Sequence, residues 1–239
     1  MKPSLKDILL LFLLGSMWGP SFMFIKISVH EIPPITLVAI RVSSAALILY
    51  TILRLNGRRL PGGKIWIRFA IMAFFASAFP FLLFAWGQQY IDSAMAGIIN
   101  GSSPLVTVFL AHFFLDNDRL TWRKLIGILT GFSGLVALIG PSALEGMSFN
   151  TLGLIAAFVA SGSYGVSFVY SRKYLIGLPR LVAPTAQFIM SGLMLIPVAF
   201  LIESPQTLPL PSTKVIVSMS ALIIMGTAMA QVLYFYLVE

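Results

Sequence analysis

The stretch ILLLFLLGSMWGPSFMFIKISV, from Ile8 to Val29, is apolar except for small and hydroxyl residues and Lys26 near its end. An α-helix rises about 1.5 Å per residue, so about 20 such residues cross a hydrocarbon core about 30 Å thick. Working outward, comparable runs recur at Thr36 to Leu53, Ile67 to Gln89, Ala94 to Phe114, Leu125 to Ile139, Leu152 to Tyr170, Ala183 to Ile202 and Ile216 to Val238. The fifth is short. The gaps are brief and carry turn or breaker residues, as at Glu31-Ile32-Pro33-Pro34, Asn56-Gly57, Pro61-Gly62-Gly63 and Pro209-Leu210-Pro211. This spacing predicts an all-α polytopic membrane protein with eight transmembrane helices and no inserted soluble domain.

Composition agrees: 58% of the 239 residues are hydrophobic and 10% charged, against about 25% charged in a soluble domain. Lys and Arg outnumber Asp and Glu by 16 to 8. In a soluble chain that excess suggests nucleic acid, but here the basic residues lie in the gaps and read as orienting charges. Cysteine is absent, which excludes disulfides, thiolate nucleophiles and Cys-ligated metal. Lys2 and Lys6 precede the first run as in a signal peptide. No small-x-small cleavage site follows it, so it reads as an uncleaved span.

The basic residues alternate between the two sides. Lys2, Lys6, Arg54, Arg58, Arg59, Lys64, Arg68, Arg119, Arg123, Lys124, Arg172, Lys173 and Arg180 fall on one face, and Lys214 alone on the other. The excess of Lys and Arg marks the cytoplasmic face, which places the N-terminus inside. Glu31, Asp92, Glu145 and Glu203 then lie outside.

A long internal period is also present. Trp18-Gly19-Pro20-Ser21-Phe22 is echoed by Tyr164-Gly165-Val166-Ser167-Phe168, 146 residues on. The starts of the second and seventh runs are 147 residues apart, and those of the third and eighth 149. A unit of five spans is odd, so a second copy enters the membrane from the opposite side. That is the inverted-repeat plan of secondary transporters. Residues 1–145 read as the first unit with five helices, and 146–239 as the second with three.

The stretches WGPSFMFIKISVHEIPPITLVAIRV, SSPLVTVFLAHFFLDNDRLTWRKLIGILTGFSGL and SGSYGVSFVYSRK resemble the EamA-like branch of the drug/metabolite transporter superfamily. The resemblance runs through nearly the whole chain. It implies ten helices in two inverted five-helix repeats, of which eight are present here. It also implies outward movement of small metabolites, such as amino acids or related compounds, across the bacterial inner membrane, without a cofactor. The family commonly has Glu after the fourth span, where this chain has Asp118. Adding the repeat offset predicts missing mates of the fourth and fifth spans near 243 to 263 and 274 to 288, a full product of roughly 290 to 300 residues. The present chain is then expected to associate with an oligomeric partner or the missing C-terminal helices.

Three prolines fall near mid-span: Pro20, Pro80 and Pro104. Each removes one backbone hydrogen bond and frees the carbonyl four residues earlier, which makes it either a hinge or a packing kink. The fourth span is the most polar at its centre, with Asn100, Ser102, Ser103 and Thr107, and such groups face a cavity or a partner rather than lipid. Ser93, Gly97 and Gly101, Gly15 and Gly19, and Gly127 and Gly131 have the four-residue spacing of close-packing faces. Trp18 and Ser21, with their mates Tyr164 and Ser167, offer a stacking surface and hydroxyls for a substrate path. Gln187, Gln231 and Tyr234 are further candidates. Arg41 either meets a substrate or a counterion such as Glu31, or anchors the helix. Lys26 suits snorkelling.

No Asp or Glu falls in a span interior, so an embedded proton-relay acid is missing, and His112 is the only span imidazole. Gly162-Ser163-Tyr164-Gly165 is similar to a rhomboid-type GxSG, but both histidines, His30 and His112, precede it; His30-Glu31 is not followed by the second histidine of a zinc protease. An enzyme and a metal site are therefore not expected. The rival to a transporter of a small-molecule substrate is a non-transporting membrane scaffold or an inactive, truncated transporter.

Overall fold

A computed structural model describes residues 4–115, 121–139 and 151–237. Asp118 and Glu145 lie outside them. The regular structure among the described residues is helical. Among the described residues seven helices are long and apolar enough to cross a membrane: α1 (Leu5–Ser28), α2 (Pro34–Leu55), α3 (Ile65–Gly87), α4 (Ser93–Phe114), α6 (Thr151–Tyr174), α7 (Val182–Ile202) and α8 (Thr213–Leu237). The fifth apolar run forms a helix, α5 (Trp122–Ile139), which is not one of the seven. It is 18 residues long and carries Arg123 and Lys124 in its first turn.

The three mid-span prolines each mark an irregularity. The α1 helix is interrupted between Trp18 and Ser21, at Pro20. In α3 a π-helical turn, Phe74–Ala78, runs directly into Phe79–Pro80. The α4 helix breaks at Gly101-Ser102, and Pro104 opens its second part. A fourth irregularity has no proline: α8 contains a π-turn over Ile224–Met229. Pro197, in contrast, is carried inside α7 without a break.

Residues of α2 and α7 form the heart of the core, with Leu37, Val42, Leu49, Phe188 and Leu195 buried together and Phe69 and Leu222 added from α3 and α8. A second cluster joins Phe84, Met95, Ile99 and Ala157 across α3, α4 and α6. The outward faces are apolar too: Phe12 is 75% and Leu201 84% exposed, as a surface turned to lipid requires.

Close helix contacts fall at different glycines from those the four-residue spacing suggests. A Cβ on Gly15, Gly127 or Gly131 meets nothing, and one on Gly97 only brushes Phe22. The tight approaches are Gly87 against the carbonyl of Gly153, Gly165 against Val106 and Thr107, Gly192 against Ser43 and Gly226 against Ser21. GxxxG marks a smooth helix face but not which neighbour occupies it.

Candidate functional site

Arg41, about a third of the way along α2, is 6% exposed. Its Nε donates to Thr227 Oγ1 at 2.9 Å, and its guanidinium lies 3.8 Å from the centre of the Phe81 ring. Thr227 sits inside the α8 π-turn, and its hydroxyl donates in turn to the Leu222 carbonyl at 2.7 Å. Tyr164 from α6 completes the group, edge-on to Phe81 at 6.5 Å and stacked on Phe84 at 6.1 Å. Four helices thus meet around one guanidinium.

The other π-turn is satisfied by serines. Ser163 Oγ donates to the Phe75 carbonyl at 2.7 Å, and Ser191 Oγ reaches the Ala73 carbonyl at 3.3 Å. Ser77 and Ser191 share a 2.6 Å hydroxyl–hydroxyl bond. At the α4 break, the Ile99 carbonyl accepts from Ser161 at 3.0 Å and Ser102 at 2.6 Å. Backbone carbonyls released inside a membrane need such partners, because lipid offers none. Ser163, part of the GxSG-like sequence, spends its hydroxyl on this structural bond.

Most of the residues singled out from the sequence fall into three groups, with Ser167 and Gln187 apart from them. Tyr164 and Arg41 meet, as described. Trp18 and Tyr234 face each other at 5.6 Å, with Gln231 half-buried one turn away on α8 and Ser21 buried against Gly226. Asn100, Ser102 and Ser103 stay on α4: Ser103 donates to the Asn100 carbonyl at 2.6 Å and touches its Oδ1 at 3.3 Å. Ser167 likewise bonds its own helix at the Tyr164 carbonyl, and Gln187 is buried on α7. Thr227, Phe81, Ser77 and Ser191 were not selected from the sequence. The repeat offset was the available signal, since Ser77 and Thr227, like Arg41 and Ser191, are 150 residues apart.

The two ends of the bundle differ. Where the basic loops gather, a cleft of about 590 Å³ opens between the ends of α2 and α8 and the α6–α7 connection, lined by Asn56, Arg58, Pro179, Arg180 and Tyr236. Lys6 donates to the Tyr236 hydroxyl at 2.9 Å, and the Arg180 guanidinium lies 5.4 Å from that ring.

The opposite end is tied by carboxylates. Glu31, which follows α1, accepts from the backbone N–H and hydroxyl of Ser212, the residue that caps α8, both at 2.7 Å. The Ser212 N–H, then its hydroxyl, hold the Glu31 carboxyl below the usual range. Glu203, which follows α7, accepts from the N–H groups of Ile35 and Thr36 at 2.9 and 2.6 Å and from the Thr36 hydroxyl at 2.7 Å. Each carboxylate therefore meets the positive N-terminal end of a distant helix. Glu31 is thus bound by Ser212 and not by Arg41: the first turn of α8 presents two aligned donors at the loop itself. Lys26, half-buried near the end of α1, directs its ammonium to the carbonyls of Gln88 at 2.7 Å and Ile91 at 3.1 Å, just past the end of α3.

Residues 5–140 match the EamA-like transporter family. The chain belongs to this family. Among named relatives, the uncharacterized inner membrane transporter YedA of Escherichia coli K12 is 26% identical, covering 96% of this chain and 73% of its own. An uncharacterized transporter from the trpA 3' region of Buchnera aphidicola is 27% identical over 83% of this chain, and YoaV of Bacillus subtilis 23% over 78%. The EamA-like chain described here spans 66% and 64% of the length of those two proteins. A solved crystal structure 21% identical in sequence shares the fold, with a TM-score of 0.69 over 97% of this chain and 79% of the other.

Proposed function

We propose that this EamA-like protein is a secondary transporter that moves a small metabolite, such as an amino acid or related compound, out across a bacterial inner membrane by alternating access. The observation that carries this reading is the asymmetry of the bundle: a cleft at the basic end, carboxylate ties at the other, and broken helices between them. In this reading the structure is the inward-open form. Pro20, Pro80, Pro104 and the α8 π-turn supply the hinges.

Two further elements belong to the proposal. The first is an inverted repeat with α5 as an eighth span: 18 residues rise about 27 Å. The π-turns of α3 and α8 begin 150 residues apart, and the same offset carries the Ser77–Ser191 bond onto the Thr227–Arg41 bond, Ser77 onto Thr227 and Arg41 onto Ser191, which supports it. The second is an N-terminus in the cytoplasm, supported by the basic end. Single cysteines at Asn56 and Ser204 test the orientation. An impermeant maleimide on intact cells is expected to label Ser204→Cys and spare Asn56→Cys; the reverse pattern defeats it.

Transport itself is tested with the purified chain in proteoliposomes over a panel of amino acids and metabolites. Flux is expected for at least one compound, and Asn100→Leu is expected to abolish it with near-normal membrane expression, because the change removes a polar contact without opening a cavity. No flux across the panel favours the scaffold reading, and unchanged flux in Asn100→Leu assigns that residue to packing.

A further inference from the structure

We infer that the cargo is a small monoanion, bearing a carboxylate-type group without a compensating positive charge, and that Arg41 receives it. This rests on the transport reading above and, within it, selects the related compounds that lack an ammonium, such as 2-oxo acids, over amino acids themselves.

A guanidinium stays protonated, and burying one without a negative partner is costly. The described acids are all placed elsewhere: Asp7 is bonded by Ser4, Glu31 by Ser212 and Glu203 by Ile35 and Thr36, while Asp92 is exposed at the start of α4. Arg41 has its Nε on Thr227 and its face on Phe81. Its terminal nitrogens keep the forked geometry that two oxygens of one anion fit.

The number of charges follows from the same accounting. Lys26, in the last turn of α1, is engaged by the carbonyls just past the end of α3. One guanidinium balances one negative charge. A zwitterion also needs a partner for its ammonium, and none of the four described acids lies inside the bundle. The ring walls of Phe81, Phe84 and Tyr164 suit an apolar or planar body.

The path to Arg41 is laid by the same two helices. Both α2 and α8 line the basic cleft, through Leu53 on one, with Arg58 in the loop after it, and Val232 and Tyr236 on the other. Val232 is about 7.5 Å along α8 from Thr227. Guanidinium groups at the mouth concentrate anions before they enter.

The test uses the full chain in proteoliposomes with three compounds of one shape: phenylpyruvate as anion, phenylalanine as zwitterion and phenethylamine as cation. Counterflow and thermal stabilisation are both measured. Phenylpyruvate is expected to cross at least about tenfold faster than the other two, and Arg41→Gln to slow it about ten- to hundred-fold, with Arg41→Lys in between. The charge series needs no variant, so it decides even where Arg41→Gln fails to fold. Equal flux of the three, preference for either of the others, or an Arg41→Gln protein as active as the parent overturns the inference. If none of the three crosses but phenylpyruvate stabilises the parent and not Arg41→Gln, transport fails and the anion site stands. Neither flux nor stabilisation by phenylpyruvate overturns the site as well.

Discussion

Gly165→Leu is expected to eliminate the folded protein. A Cβ at this position lies 3.0 Å from Val106 Cγ1, 3.1 Å from the Thr107 nitrogen and 3.2 Å from the Val106 carbonyl carbon. Two of these atoms are backbone, so a side-chain rotation does not relieve the contact and α4 must move away from α6. Overpacking that displaces backbone falls at the upper end of its usual range, about 3 kcal/mol. Separation also pulls Ser161 from the Ile99 carbonyl, leaving a polar group unpaired in an apolar interior. Gly162→Leu is the control. It lies on the same helix three residues earlier, and a Cβ there meets nothing within 4 Å. Size-exclusion profiles and melting curves in detergent compare the two. Gly165→Leu is expected to aggregate or melt far below the parent, and equal behaviour of the two variants contradicts the packing account.

Glu203→Ala is expected to give the second-largest effect. The carboxylate accepts three hydrogen bonds at the start of α2, and Thr36 is 4% exposed, so water does not readily replace it. Losing charge-assisted bonds and orphaning a buried N–H costs about 3 kcal/mol, or about 5–10 °C in melting temperature. Glu203→Gln keeps an acceptor oxygen and is expected to lose about half as much. Glu31→Ala removes bonds at an exposed site and serves as the contrast, with a shift of only a few degrees. A Glu203→Ala protein that melts with the parent removes the reading of Glu203 as the tie between α7 and α2.

These effects separate what is legible in the sequence from what is not. The spans are legible because membrane thickness imposes a length and lipid imposes an apolar surface, and both conditions act on contiguous residues. The breaks at Pro20, Pro80 and Pro104 follow from a missing N–H, which is a property of one residue type. The π-turn of α8 has no such marker. It depends on Thr227 being bonded from α2, a residue 186 positions earlier. The same limit governs Glu31 and Glu203, whose partners are 181 and 167 or 168 positions away, and the glycines, whose value depends on the facing helix. Of the site, Arg41 and Tyr164 are legible because a charge within a span, and a ring away from the span ends, are costly or unusual by themselves. Phe81 and Ser191 look like ordinary span residues until the helices are assembled.

The two π-turns store length. Each holds one more residue per turn than the helix around it, and a neighbouring residue that enters the turn as another leaves shifts the bulge along without changing the ends. In an α-helix one residue corresponds to about 100° of rotation. Moving the bulge in α8 past Thr227 therefore turns that hydroxyl away from Arg41 like a thread advancing in a nut, while Ser212 stays fixed at its Glu31 bond. The segment can be re-registered locally, so a change at the centre of the bundle does not require the whole helix to slide.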